Sequence, residues 1–488
     1  MTIWTPRPDQ RAVLDAWGDR WRGALWLPTG AGKTAIASTL LERWLFDECS
    51  VSMALIVAPK LVARDGWTTE WQRWEQFYPL AAEARVITFD MLGMKRGAAG
   101  EGLVFTDKRA TKARLRALGG RIHICSWDAF PFVAQAWGKN WPYEAFVPDE
   151  SSFLRDGRSE RGRAARHAVH RTGRVTRLVE LTATPNANDA EAVVPQLDLI
   201  ERGALGSSLI DFREAYCQPK TKNWQTGVVY SWELRPDKRA NYDAVCSRLA
   251  ISAPSALRVP LLQVEQRIPW ASRSELTREA YAAMRKNAVW RGIVAGSEAV
   301  VQGKLRQMAN GFVYRNDDAE DALVNLDDEK TDRLAELVEA VDGPVLVGYH
   351  FKQELWRLRE RFKGAVMDIR EPTALATFKA GGLKLLAAHP ASAAHGIDGL
   401  QRVCSTGVWM SVPQDQELRQ QLEGRIARHG TEAESVTWHY LIAEGTVERD
   451  IYDEVLPGKA SMLDLTLRAA RMKFDDSSAV AMIGADHG

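Results

Sequence analysis

The stretch LPTGAGKT, Leu27 to Thr34, decides the fold. Before it, GALWL (Gly23 to Leu27) is apolar enough for a buried strand, and after it TAIASTLLERWLF predicts a helix with Ile36, Leu40, Leu41 and Trp44 on one face. Strand, glycine loop, helix is the context a phosphate-binding loop requires. Gly30 and Gly32 let the backbone turn so that several N–H groups face one point, with the positive helix end behind them. In this reading Thr29, Gly30, Ala31 and Gly32 cradle phosphates, Lys33 reaches the β and γ phosphates of ATP, and the Thr34 hydroxyl ligates Mg²⁺. The strict pattern G-x-x-x-x-G-K-[ST] wants glycine where this chain has Leu27, so a chance glycine-threonine turn is the competing reading. The choice depends on whether the rest of an ATPase is present.

Outward from the loop, apolar strand-like runs alternate with helical patterns as far as about Ile200. They are MALIVA (Met53 to Ala58), RVITF (Arg85 to Phe89), RIHICS (Arg121 to Ser126), EAFVP (Glu144 to Pro148) and RLVELTAT (Arg177 to Thr184). That alternation predicts a parallel sheet wrapped by helices. A second series begins at GPVLVGYH (Gly343 to His350) and runs through LKLLAAH (Leu383 to His389), GVWMS (Gly407 to Ser411) and SVTWHYLI (Ser435 to Ile442). Between them, SELTREAYAAMRKNAV and KLRQMANGFVY have helical periodicity. The expected division is therefore an ATP-binding lobe over 1–200, a helical protrusion or linker over 201–330, a second α/β lobe over 331–460 and a fraying tail over 461–488.

Length and composition fit this plan. The 488 residues allow roughly two to four domains, and 45% hydrophobic with 26% charged residues suits a soluble globular protein. Five scattered cysteines form no C-x-x-C pair, which argues against structural zinc and a disulfide framework, and a reducing cytosol is expected. The first residues lack a signal-peptide core and no apolar run approaches a membrane span, so no membrane partner is expected. Most of the eighteen tryptophans, Trp17, Trp21 and Trp44 among them, sit at helical spacing and read as core. The net charge of +1 conceals two basic runs: Met94 to Arg121 and Arg155 to Arg177 each carry eight Lys/Arg against two acids. Such runs are solvated faces or polyanion contacts.

Three further constellations carry chemistry. AFVP leads into DESS and places Asp149 and Glu150 at the carboxyl end of a strand, the edge where ligands of α/β sheets gather. Asp149 would hold Mg²⁺ through its waters, and Glu150 would orient or deprotonate the attacking water. Pro148 sits awkwardly there, because proline removes a ladder donor. In LTATP, Leu181 to Pro185, two threonine hydroxyls stand at the end of another strand. In QLEGRIARHG, Gln421 to Gly430, a continuous helix would put Gln421, Arg425 and Arg428 on one face, either as a solvated basic stripe or as catalytic residues with paired arginine fingers.

These motifs, in this order, resemble the superfamily 2 helicase and translocase core, most closely its Swi/Snf-like branch, over about residues 4 to 460. RPDQ is similar to the adenine-reading segment, with Arg7 and Gln10 toward the nucleotide; LPTGAGKT is similar to motif I, where the first glycine is often replaced. IVAPKLVARDGWTTEWQRW resembles motif Ia and implies nucleic-acid contact at Pro59 and Lys60. CSWDAF resembles the next backbone-contacting segment, with Ser126 and Trp127. DESS stands where DEAH is common, and LTATP is close to LTGTP. VLVGYHFKQEL resembles motif IV, with Lys352 toward nucleic acid. HPASAAHGIDGLQ resembles motif V, with His389 toward nucleic acid and Gly396 and Asp398 toward the nucleotide. QLEGRIAR matches the Q-x-x-G-R-x-x-R form of motif VI. The resemblance implies an α/β fold of two RecA-like parallel-sheet lobes with helical protrusions between their motif sets. It also implies ATP and Mg²⁺ as cofactors and a nucleic-acid partner, DNA before RNA. The activity implied is an ATP-driven translocase or helicase, tracking on duplex DNA. A strand-separating helicase and a nucleotide-gated nucleic-acid-binding scaffold remain open. The compact chain, with no chromatin-reading addition, suggests a bacterial or bacteriophage protein acting in the cytoplasm, that of the host if viral.

Overall fold

A computed structural model describes residues 3–96, 103–105, 107–186, 189–222, 229–253, 259–315, 323–393, 399–428 and 430–470. The chain divides into two compact units, Met1–Ala256 with Ser461–Gly488, and Leu257–Ala460.

The first unit is built on a seven-stranded parallel sheet. Its strands follow one another across the sheet as Ala250–Ser252, Arg22–Trp26, Arg177–Thr182, Ala145–Pro148, Ala54–Ala58, Ile122–Ser126 and Ala84–Ile87. Both faces are covered. Along Ala54–Ala58, Leu55 and Val57 enter one core while Ala54, Ile56 and Ala58 enter the other, which is why the strand is apolar at every position. Pro148 is accommodated because it is the last residue of its strand. The ladder resumes one residue on, where Asp149 N–H donates to the Val57 carbonyl at 2.8 Å.

The second unit has a six-stranded parallel sheet in the order Leu261–Ile268, Val436–Ala443, Thr406–Trp409, Val345–Gly348, Leu385–Ala388, Val366–Asp368. Two cores again lie on its two faces, one around Trp409, Trp438 and Tyr440, the other around Val345, Val347 and Leu441. The α/β fold with two RecA-like parallel-sheet lobes is thus present.

The boundaries between the expected parts differ. Residues 201–330 do not form a helical unit of their own. Strand Ala250–Ser252 completes the first sheet, and Leu261–Ile268 pairs along the whole of Val436–Ala443 in the second. The helices Glu275–Asn287 and Glu298–Ala309 are present as the periodicity predicts, with Ser274 and Ser297 capping them. Leu261–Ile268 escapes a period-based reading because it is a half-exposed edge strand, so its apolar residues do not alternate cleanly with polar ones. The expected tail begins as ordered helix: Leu456–Ala469 is helical, Thr466 Oγ1 accepts from Asn186 Nδ2 at 2.6 Å, and Ala470 O accepts from Ser252 N–H at 2.9 Å. Trp21 is a further correction. The first helix, Pro8–Trp17, stops at Gly18, leaving Trp21 65% exposed with the Arg177 guanidinium 5.0 Å from its ring centroid.

Candidate functional site

Three neighbouring strands of the first unit, Arg22–Trp26, Arg177–Thr182 and Ala145–Pro148, release the phosphate-loop stretch, LTATP and DESS at the same edge of the sheet. Parallel pairing is what collects them: segments far apart in sequence leave the sheet side by side at its carboxyl-terminal edge.

The loop turns through Gly30 at φ 81° and Gly32 at φ 82°, left-handed conformations that side chains rarely adopt, and the helix Lys33–Glu42 starts directly after them. Lys33 Nζ donates to the carbonyls of Leu27 at 2.9 Å and Pro28 at 3.3 Å, which curls its side chain over the loop. Arg7 and Gln10 reach the same place. Gln10 is buried, its Oε1 accepts the Arg7 N–H at 3.0 Å, and its Nε2 donates to the Ala31 carbonyl at 3.0 Å; Arg7 Nη2 donates to that carbonyl at 3.1 Å. An added Cβ on Gly32 would lie 2.1 Å from Gln10 Nε2. The loop therefore needs glycine here for φ, and a side chain would push the Gln10 amide away from the Ala31 carbonyl. A primary amide has two donor hydrogens and two acceptor sites, so one of each is left on Gln10 for a ligand.

Across the edge, Asp149 and Glu150 are held very differently. Asp149 Oδ2 accepts from Trp67 Nε1 at 2.9 Å, and its carbonyl accepts from Trp127 Nε1 at 2.8 Å. Burial, then the adjacent Glu150 charge, push the Asp149 carboxyl up to about 7, against the pull of Lys33 and the Trp67 N–H. Glu150 takes φ 60° and ψ 62°, a left-handed conformation unusual for a residue with a side chain. Its Oε1 accepts from Thr182 Oγ1 at 2.6 Å and from Ser152 Oγ at 3.2 Å, and Thr182 Oγ1 in turn accepts the Thr184 N–H at 3.1 Å. Ser151 donates to Gln196 Oε1 at 2.7 Å, while Gln196 Nε2 donates to the Pro185 carbonyl at 2.8 Å. DESS and LTATP are thus one hydrogen-bonded assembly. This donor set fits a phosphate-bound cation: a hydroxyl at Thr34 and a carboxylate at Asp149 are hard oxygen ligands of the kind Mg²⁺ takes.

Trp67 and Gln196 were not legible as site residues, since nothing in one sequence tells a tryptophan that orients an acid from one that fills the core. Trp127 needs correction in the same sense. It is 2% exposed, stacks on Phe153 with centroids 5.7 Å apart, and holds the acid turn; it does not present itself to a nucleic-acid backbone. Pro59 is also buried, its carbonyl accepting from Ala63 N–H at 2.8 Å, so of that pair only Lys60 is exposed. Ser126 is half-buried and its Oγ accepts the Ala129 N–H at 3.2 Å. Part of the second basic run is engaged within the unit: Arg161 pairs with Asp128 and covers the Phe153 ring, and Arg177 lies 3.7 Å from Glu48.

In the second unit the largest departure is at motif VI. The helix spans only Gln416–Glu423. Beyond Gly424 the backbone tightens, with Arg425 N–H donating to Leu422 O at 3.0 Å and Thr431 Oγ1 donating to the Ile426 and Arg428 carbonyls at 2.9 Å and 2.6 Å. Arg425 and Arg428 accordingly sit on turns and not on a helical face shared with Gln421. Gln421 itself is buried, with Nε2 donating to Glu417 Oε1 at 3.3 Å. The helix is anchored through Glu423, whose carboxylate accepts from Trp409 Nε1 at 3.1 Å and from the Tyr440 hydroxyl. Lys352 is exposed as the first residue of helix Lys352–Arg361, and His389 is half-buried with its ring 5.6 Å from that of Tyr349. Burial, then Arg370, hold the His389 imidazole below its ordinary range. Gly396 and Asp398 lie outside the described residues.

No protein-family model matches this chain. Putative protein p41 of Acyrthosiphon pisum secondary endosymbiont phage 1 is 26% identical over 491 residues, covering 97% of this chain and 100% of that protein. Among solved structures, the Sulfolobus solfataricus SWI2/SNF2 ATPase core in complex with dsDNA aligns over 100% of this chain and 98% of its own at 13% identity, with a TM-score of 0.40. Neither value assigns a chemistry, which rests on the residues of the site itself. Among the described residues no helix is long and apolar enough to cross a membrane.

Proposed function

We propose that this chain is an ATPase stimulated by nucleic acid, and that its cycle drives movement along duplex DNA. The observation that carries the reading is the meeting of a phosphate loop, an Asp–Glu pair and the Thr182 hydroxyl on three neighbouring strand ends, with Thr182 bonded to Glu150. Lys33 pairs with the β and γ phosphates, and Gln10 with Arg7 reads the base while fixing the loop. Thr34 and Asp149 hold Mg²⁺, which when bound neutralises charge on the phosphates. Glu150 orients the attacking water and takes up its proton, its carboxylate kept in place by Thr182. In the second unit Arg425 and Arg428, with Gln421 of the same motif, are assigned to the charge that develops on the transferring phosphoryl group, and Gly396 and Asp398 to the nucleotide. Lys60, Ser126, Lys352 and His389 are the assigned contacts to nucleic acid. DNA as the track, and duplex before single strand, follow from the Swi/Snf-like form of the motifs. The phage source of the 26% identical relative supports a bacteriophage setting, hence the host cytoplasm.

Phosphate release measured side by side with duplex DNA, single-stranded DNA and RNA tests the reading. Duplex should stimulate most, Lys33→Ala should abolish tight ATP·Mg²⁺ binding, and Glu150→Gln should bind ATP without turning it over. Alanine at Arg425 or Arg428 should lower turnover by up to about 10³-fold with little loss of ATP affinity, and lysine should not fully restore it. Displacement of a third strand from a triplex, with a forked duplex left paired, marks a tracker; efficient fork unwinding marks a strand-separating helicase. Nucleotide binding with no turnover under any condition would return the chain to a gated scaffold.

A further inference from the structure

Because every strand of the first unit's sheet runs in the same direction, the sheet has two chemically distinct edges. The candidate nucleotide site occupies the carboxyl-terminal edge. At the amino-terminal edge, separated from it by about 17 Å for a five-residue strand, lies a pocket of 550 Å³ walled by Trp137 and Trp141 and rimmed by Arg116, Lys139 and Arg174. The three cations come from three segments, each leading into a different strand: Arg116 near the end of helix Lys108–Ala117, Lys139 in the turn Gly138–Asn140, and Arg174 ahead of Arg177–Thr182. Among the described residues no carboxylate lines the pocket. Lys112, one helical turn before Arg116, adds a fourth cation with its Nζ 6.0 Å from the Trp137 ring centroid.

Of the two acids nearby, one is engaged elsewhere and the other is shared between a rim cation and the backbone. Asp107 caps the basic helix by accepting the Arg109 and Ala110 N–H groups at 2.8 Å and 3.0 Å. Glu144 lies 3.6 Å from Arg174 but also accepts the Ser52 N–H at 2.6 Å. Trp137 and Trp141 are 5% and 2% exposed, so their ring faces are covered and the pocket offers charge, not a stacking platform. Cations from separate segments around a hollow of this size suit a chain of phosphates better than one small anion.

We propose that this amino-terminal edge binds the phosphate backbone of a second segment of duplex DNA, apart from the track engaged at the carboxyl-terminal edge. The proposal rests on the nucleic-acid reading above. Its test is a capture assay with the full chain: a bead-bound duplex, the protein, and a second, labelled duplex in solution. The wild-type protein should retain the labelled duplex. Arg116→Glu with Lys139→Glu, both at exposed positions, should lose that capture while keeping the wild-type thermal midpoint and DNA-free ATPase rate. Its salt dependence of total DNA binding should also be shallower, by about 0.9 in log–log slope for each phosphate that is no longer neutralised. Capture by the variant equal to wild type overturns the proposal, as does a wild-type protein that is stimulated by duplex yet captures no second one. An ATPase indifferent to every nucleic acid overturns the reading of the carboxyl-terminal edge instead, and direct binding of labelled duplex by the wild type but not by the variant would then still identify the amino-terminal one.

Discussion

At the scale of single residues, the Glu150 carboxylate is the most constrained group of the site. A left-handed backbone at a non-glycine residue costs on the order of 1–3 kcal/mol and persists only where its surroundings over-determine it; the hydroxyls of Thr182 and Ser152 do so here. Replacing Thr182 by valine keeps the buried shape and removes the 2.6 Å hydrogen bond. Hydrogen bonds to charged groups contribute about 1.5–3 kcal/mol, so turnover should fall tenfold or more while ATP affinity stays near wild type, as steady-state kinetics with nucleotide titration would read. Glu180, two residues earlier on the same strand, is the opposite case. It is fully buried, neither oxygen finds a hydrogen-bond partner among the described residues, and burial raises its carboxyl well above its ordinary 4.5. Above pH 4.5 the unfolded chain releases this proton while the folded chain keeps it, so stability declines by about 1.4 kcal/mol per pH unit until the folded value is passed. Relative to wild type, Glu180→Gln should therefore gain urea resistance as the pH rises above 4.5, with the difference fading toward pH 4. A difference independent of pH would mean that the carboxyl is already ionised in the fold.

At the scale of elements, the phosphate loop and the helix Pro8–Trp17 act as one piece. Gln10 and Arg7 both bond the Ala31 carbonyl, and Gly32 leaves room for the Gln10 amide. Gly32→Ala meets two penalties, a left-handed φ and a Cβ 2.1 Å from Gln10 Nε2. Nucleotide binding should collapse in this variant, while circular dichroism and the denaturation midpoint change modestly, because only the loop must move. Gln10→Ala opens the space but leaves the backbone strained and removes both the base reader and the bond to Ala31, so the double variant should not regain the affinity. The helix Gln416–Glu423 shows a related competition. Its residues have the spacing of a continuous helical face through Arg428, yet the chain turns at Gly424, where glycine's low helix propensity meets a threonine, Thr431, able to satisfy two carbonyls.

At the scale of the whole molecule, buried charge ties segments distant in sequence into the second unit. Lys330 is 2% exposed and donates to Glu448 Oε1 at 2.7 Å, Asn310 Oδ1 at 2.8 Å and the Met410 carbonyl at 2.7 Å. Four stretches that a linear reading distributes between a protrusion and a lobe converge on one ammonium. Removing one member of such a pair leaves the other charge buried and costs about 3–5 kcal/mol, whereas replacing both by apolar groups is often neutral. Lys330→Met should thus lower the stability of this unit strongly, and Lys330→Met with Glu448→Leu should restore most of it, measured by chemical denaturation. Equal destabilisation in the single and double variants would show that the Asn310 and Met410 hydrogen bonds, not the ion pair, carry the energy.

The sequence by itself determined the parts of the candidate site and its frame: the glycine loop, the acid pair, the two series of parallel strands and the helices at Glu275 and Glu298. These are legible because they depend on local properties, namely apolar periodicity, glycine at left-handed positions and caps within a few residues. Only the tertiary structure decided that Trp67 and Trp127 grip Asp149, that Thr182 holds Glu150, and that Gln10 supports the loop it was expected to serve only as a base reader. It also decided that Ala250–Ser252 and Leu261–Ile268 belong to different sheets, and that Arg425 and Arg428 leave their helix. Each of these rests on partners brought together from other segments or on a competition between a helix and a turn. In such cases the residue's own chemistry permits several arrangements, and packing selects one.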